Sequence, residues 1–238
     1  MRSQTNMQRD SSMLNWFPKI KDILPVPRTE ILEISKEETF EIINLLDGEM
    51  ISEDLFRKIK ECANKIGYPL FLRSDQGSAK HDYDHSCHVE KESDLLGHLA
   101  RLFEWHLMVD LWPQALVFRE LLSLCAPFKA FDGLPIARER RYFVDEGKVI
   151  CHHPYWPEGA IEQGRKARSL PVGWREMLAE INSEDEGETS CLTRMAEAFA
   201  ENVPGFYSVD FAQKADGQWV MIDAARGELS YHPEHEEG

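Results

Sequence analysis

Val209-Asp210-Phe211, Lys214-Ala215-Asp216-Gly217 and Val220-Met221-Ile222-Asp223-Ala224-Ala225 follow one another near the end of the 238-residue chain. Two β-prone runs, 206–213 and 218–225, flank an Asp-Gly turn, which predicts a β-hairpin. Asp210 and Asp223 stand inside otherwise apolar strands. An unpaired buried carboxylate is expensive, so each calls for a cation. Facing carboxylates on paired strands can hold Mg²⁺, a hard ion that prefers oxygen ligands. The plainer reading is an aspartate at a strand edge, in water.

Upstream, the run 68–73 reads as a short buried strand ending in Arg73, followed by Ser74-Asp75-Gln76-Gly77-Ser78-Ala79-Lys80. Small side chains let backbone N–H groups approach phosphate oxygens, and two cations can neutralise a polyphosphate. Such a loop is also an ordinary surface turn. Lys80 is expected to open the next strand. Leu116-Val117-Phe118-Arg119-Glu120 forms another strand, and Glu139-Arg140-Arg141-Tyr142-Phe143-Val144 a third. Period-two alternation puts Glu139, Arg141 and Phe143 on one face. That face either meets water or lines a cleft.

Between these pieces the pattern is mixed. Residues 1–13 read as a loose polar start, before an apolar segment around Trp16, Phe17 and Ile20. Residues 29–34 alternate as a strand does, and Ser35 with Glu38 forms a capping box for a helix. A second helix follows Ser52 and ends at Gly67. Residues 93–109 carry leucines at helical spacing. Runs 135–144 and 149–155 predict a first hairpin, 156–183 two helical pieces broken at Pro171, and the run from Leu192 to Val203 a further helix. The tail 233–238 reads as frayed. Helices interrupting strands, with two late hairpins, give an α+β class.

Acidic residues outnumber basic ones by 42 to 27, for a net charge of −15. Such a chain repels nucleic acid and anionic membrane at long range, although a local basic groove is compatible with it. No apolar run approaches the length of a membrane span. The polar N-terminus lacks a secretory core. Five cysteines without a CxxC read as reduced thiols, Cys62 and Cys125 among them as core, and point to a cytoplasmic protein.

Taken in order, these segments resemble the ATP-grasp superfamily, from about residue 68 to 230. The likeness is greatest to bacterial and phage ATP-grasp proteins and to the related eukaryotic chaperone that assembles the initiation factor two complex. It rests on Arg73, Ser78-Ala79-Lys80-His81-Asp82, Leu116 to Glu120, Glu139-x-Arg141-x-Phe143-Val144, and Val209-Asp210 with Ile222-Asp223. The resemblance implies two α+β lobes with nucleotide between them: a pre-domain segment 1–50, an N-terminal lobe 51–124 and a C-terminal lobe 125–238. Adenine would lie at a hinge of Glu120, Leu121 and Leu122. Arg73, Ser78, Lys80, Glu139 and Arg141 would surround the phosphates, with Lys80 and Arg141 catalytic. Asp210 and Asp223 would hold Mg²⁺.

The family places Asn two residues after the second acid, where this chain has Ala225. Glu228 or water would then complete the metal shell. The activity implied is an ATP- and Mg²⁺-dependent ligase joining a carboxylate to an amine or thiol through an acyl phosphate, on a small-molecule, peptide or protein acceptor. An ATP-binding assembly factor without turnover, or a nucleotide module with none, are the competing functions.

Other signals point elsewhere less strongly. His81, Asp82, Asp84, His85, Cys87 and His88 are dense enough for Zn²⁺, but a helix there, needed to align His81 with His85, is not expected. Cys151 cannot easily meet His152, because adjacent strand residues face opposite ways. His232 and His235 read as part of a solvated acidic end. Trp105, Trp112, Trp156 and Trp174 read as packing.

Overall fold

The computed structural model describes residues 10–164 and 170–232. Two four-stranded antiparallel sheets dominate. The first contains β1 (Thr29–Glu33), β2 (Leu70–Ser74), β3 (His88–Val89) and β4 (Ala115–Glu120), in the order β1-β4-β2-β3. Alternation decides its two faces. Leu70, Leu72, Leu116 and Phe118 point into a core built with helices α1 (Lys36–Asn44), α2 (Glu53–Ile66) and α3 (Leu95–Met108). Each such fully buried side chain contributes roughly 1.5–3 kcal/mol. Phe71, Arg73 and Arg119 alternate with them and so take the opposite face.

Local chemistry sets the helix ends. Ser35 Oγ accepts from Glu38 N at 3.1 Å, and Glu38 Oε2 accepts from Ser35 N at 2.7 Å, the expected capping box. Ser52 caps α2, and Gly67, at φ +87°, stops it.

The second sheet contains β7 (Glu139–Asp145), β8 (Lys148–Pro154), β9 (Tyr207–Gln213) and β10 (Trp219–Arg226), in the order β10-β9-β7-β8. Tyr142, Val144, Val209 and Phe211 pack against the long helix Glu186–Asn202 and the N-terminal helix Met13–Ile20. Glu139, Arg141 and Asp210 alternate onto the opposite face. A two-stranded ribbon, β5 (Phe128–Ala130) with β6 (Leu134–Ile136), joins Tyr83, Cys87, Trp156 and Trp174 in a third cluster.

Several expectations change. The N-terminal region does not stand apart at residue 50: Met13, Trp16 and Ile20 are buried against the second sheet, while Thr29–Glu33 pairs with β4 of the first. Nor is the start loose at residue 12, since Ser12 caps a helix and its hydroxyl reaches Asp75 Oδ2 at 2.5 Å. Run 135–144 is two strands, because Ala137 and Arg138 turn the chain between the ribbon and β7. Lys80 opens a short 3-10 turn, Lys80–Asp82, and a helical turn, Tyr83–Ser86, follows it. Cys125 is exposed rather than core. Trp112 is about half exposed and packs edge-on to Phe40. His232 is not a loose end: its Nε2 lies 2.9 Å from Cys151 Sγ. The expectations for residues 1–9 and for the tail 233–238, His235 included, fall outside the described residues.

Candidate functional site

The helix-free faces of the two sheets turn toward each other across a cleft of about 800 Å³, its open mouth included. Arg73, Ser78 and Lys80 come to it from the β2 end and the loop beyond. Glu120, Leu121 and Leu122 come from the end of β4, and Glu139, Asp210 and Asp223 from the second sheet. Lys80 and Asp223, far apart in the chain, share this one cavity.

Register explains the acids. Asp210 lies opposite Asp223 on β10 and opposite Arg141 on β7, and Arg141 lies opposite His153 on β8. Directly opposed residues of an antiparallel pair have Cβ atoms roughly 4.5–5.5 Å apart. A register shift between Met221 and Asp223 helps set Asp223 in that row. Arg141 grips Asp210 with two parallel bonds, Nε to Oδ1 and Nη2 to Oδ2, both 2.8 Å. Arg73 reaches across from the first sheet, with Nη1 3.0 Å from Asp223 Oδ1. Both aspartates therefore have the cations that their apolar strands demand. Burial works against the charge of Arg141, yet Asp210 holds its pKa above the ordinary arginine value.

Lys80 is held differently. Its Nζ lies 2.5 Å from Tyr155 Oη and 5.2 Å from the centre of the Trp156 ring. Among the described residues no ion pair joins it to a carboxylate. Burial opposes its charge, but Tyr155, Glu139 and Asp210 together raise its pKa. Burial pushes Glu139, 6% exposed, up to about 7, with Asp210 adding to the rise and Lys80 opposing it.

Arg141 is not among the residues lining the cleft, and two other expected residues have partners outside it. The Glu120 carboxylate is turned to Arg28, accepting from its backbone N at 2.9 Å and its Nε at 3.1 Å. Glu228 is not among the residues lining the cleft, and its Oε1 lies 2.8 Å from Arg226 Nη2. Among the described residues no group of three or more His, Cys, Asp or Glu side chains is placed to hold a metal ion, the dense His81–His88 segment included. The opposed carboxylates of Asp210 and Asp223 are nonetheless an oxygen-donor pair of the kind Mg²⁺ takes together with phosphate oxygens. No helix among the described residues is long and apolar enough to cross a membrane.

Arg119, Tyr155 and Trp156 are among the cleft residues that were not anticipated. Arg119 carried a signal, a charge at the end of the apolar run Ala115-Leu116-Val117-Phe118. Tyr155 and Trp156 carried none, since aromatic residues after a strand more often pack than line a site.

Comparison with curated proteins found no match. Among solved structures, the chain is similar in fold to Cdc123 from Schizosaccharomyces pombe, with a TM-score of 0.63 and 12% identity over 100% of this chain and 94% of that one. A RimK domain ATP-grasp protein from Sphaerobacter thermophilus aligns with a TM-score of 0.51 and 15% identity, covering 96% of this chain and 63% of that one. The ATP-grasp ligase PsnB, complexed with a minimal precursor, aligns with a TM-score of 0.50 and 14% identity, over 97% of this chain and 56% of that one. This chain thus spans less than two thirds of those last two. Two α+β lobes closing on a cleft are the ATP-grasp fold, and residues 64–237 match the ATP-grasp domain of the R2K clade, family 3, to which this chain belongs.

Proposed function

We propose that the protein binds ATP with Mg²⁺ in this cleft and uses it to activate a carboxylate as an acyl phosphate, releasing ADP, after which an amine or thiol attacks the acyl carbon and phosphate leaves. The observation that carries this reading is the shared cavity of Lys80, Arg73, Asp210 and Asp223. Phosphoryl transfer asks a protein chiefly for positioning and for neutralisation of charge. Lys80 faces the cleft and, among the described residues, has no ion pair with a carboxylate, so its charge is available to a phosphate. Ser78, from the small-residue loop, lines the cleft with it. Arg73 lines the cleft while anchored on Asp223, and Arg141 stands behind Asp210, which lines it. Adenine would lie against the apolar surface of Leu121 and Leu122. Mg²⁺ would be held by Asp210, Asp223, phosphate oxygens and water, with Glu228 left to Arg226, and would supply charge neutralisation at the β- and γ-phosphates.

A second reading is an ATP-binding assembly factor without ligase turnover. Ala225 in place of the family's Asn favours it, as does the arginine already seated on each acid. Thermal stabilisation by ATP, with and without Mg²⁺, tests binding. ADP release with mixed amino acids and peptides tests turnover. Release that rises with an acceptor supports the ligase, and stabilisation without turnover under every acceptor supports the assembly factor. If neither ATP nor MgATP shifts the melting temperature, both readings fail.

A further inference from the structure

The cations around the cleft are not balanced alike. Arg141 has Asp210 and Arg73 has Asp223. Arg119 is 4% exposed and has only neutral partners: Thr29 Oγ1, 3.2 Å from its Nε, and the Ile222 carbonyl oxygen, 2.5 Å from its Nη1. Its Nη2 is buried with no hydrogen-bond partner. Among the described residues no ion pair joins it to a carboxylate, since the adjacent Glu120 is spent on Arg28. Its strong electrostatic neighbour is another buried guanidinium, Arg73. Burial and Arg73 together push the pKa of Arg119 down to about 9, with Asp223 and Glu120 opposing. Two buried guanidiniums thus lean on Asp223, whose side chain is itself 36% exposed, and the other carboxylate near Arg119, that of Glu120, already pairs with Arg28. A buried charge lacking a counter-ion is costly, and a guanidinium with a free N–H suits a phosphate oxygen.

Position narrows the anion. Arg119 lines the cleft and directly precedes Glu120, Leu121 and Leu122 in the chain, which line it too, and its Nη1 donates to the carbonyl oxygen of Ile222, another lining residue. Lys80 stands elsewhere on the wall, against Tyr155 and Trp156. We infer that Arg119 anchors the phosphate nearest the nucleoside, through its unpartnered Nη2, while Thr29 and Ile222 hold the guanidinium across both sheets. This rests on the reading that an adenine nucleotide occupies the cleft, and it adds a ligand-binding residue to that reading.

The test is calorimetric titration of the full chain with adenosine, AMP and ADP in EDTA, so that no divalent cation contributes. The variants are Arg119→Gln and Arg119→Lys, and MgATP is titrated into the wild type as a control. The wild type is expected to bind AMP about tenfold or more tighter than adenosine, the size of one charge-assisted hydrogen bond. Arg119→Gln should lose that preference while keeping adenosine affinity, and Arg119→Lys should recover part of it. An Arg119→Gln protein that keeps the full AMP preference overturns the inference. Should that variant not fold, the wild type decides: binding MgATP but preferring AMP no more than adenosine overturns the role of Arg119 alone. A wild type that binds no adenine ligand, MgATP included, sinks the nucleotide reading as well.

Discussion

Replacing Asp210 with Asn keeps the shape of the side chain and removes its charge. Arg141 then loses a bidentate partner whose bonds both measure 2.8 Å. The two side chains are 14% and 8% exposed, so solvent screens the pair little. Breaking one partner of a buried pair costs about 3–5 kcal/mol, because the other charge is left uncompensated. The residual exposure of Arg141 and the amide oxygen that Asn still offers place the expected loss near the lower end, about 3 kcal/mol. For a domain of this size that is a fall in Tm of roughly 6–12 °C. The assay is urea unfolding of the wild type, Asp210→Asn, Arg141→Met and the double variant. The cycle should return a coupling energy of about 2 kcal/mol, with the double variant less destabilised than the sum of the singles. Single losses under about 1 kcal/mol, with no coupling, are what a solvated surface pair gives. That result would refute the claim that the cleft wall depends on this pair.

Further outcomes are expected. Lys80→Ala should abolish stabilisation by ATP in a thermal melt, and an unchanged nucleotide affinity would remove Lys80 from the site. Tyr155→Phe removes the hydroxyl that meets Lys80 Nζ but keeps the ring beside Arg141, so nucleotide affinity should fall severalfold, and Tyr155→Leu should lower it further; equal affinities in all three proteins would contradict this. Glu139 has a folded-state pKa raised from 4.5 to about 7, so the folded protein holds its proton the more tightly. The resulting penalty is absent below about pH 4.5, grows as pH rises and is complete above about 7, where it reaches up to about 3 kcal/mol. Glu139→Gln should therefore gain stability over the wild type as pH is raised from 4.5 to 8, and a pH-independent difference in urea unfolding would count against a buried, proton-holding Glu139.

Local signals carried much of the fold. The capping box at Ser35 and Glu38, the stop at Gly67 and the Asp-Gly hairpin all act within a few residues, where backbone hydrogen bonding and conformational preference dominate. Alternation likewise announced that Glu139 and Arg141 share a face. Lys80 sits in a 3-10 turn and not at the start of a strand, a turn closed locally by Asp82 N on the Ala79 carbonyl and by Ser86 Oγ on the Ala79 and Asp82 carbonyls, whereas the partners of its ammonium, the Tyr155 hydroxyl and the Trp156 ring, are tertiary.

By itself, then, the sequence determined the class of the fold, the ordered charges that mark the ATP-grasp family and the alternation that separates core from cleft. Those depend on period, turn chemistry and the expense of burying a lone carboxylate. Only the tertiary structure decided which charge meets which. Arg73 finds Asp223, Arg141 finds Asp210, and Arg119 is left with neutral partners. Pairing depends on strand register and on how the sheets close, set by packing between distant segments, 69 residues apart for Arg141 and Asp210 and 103 for Arg119 and Ile222, to which no local pattern is sensitive.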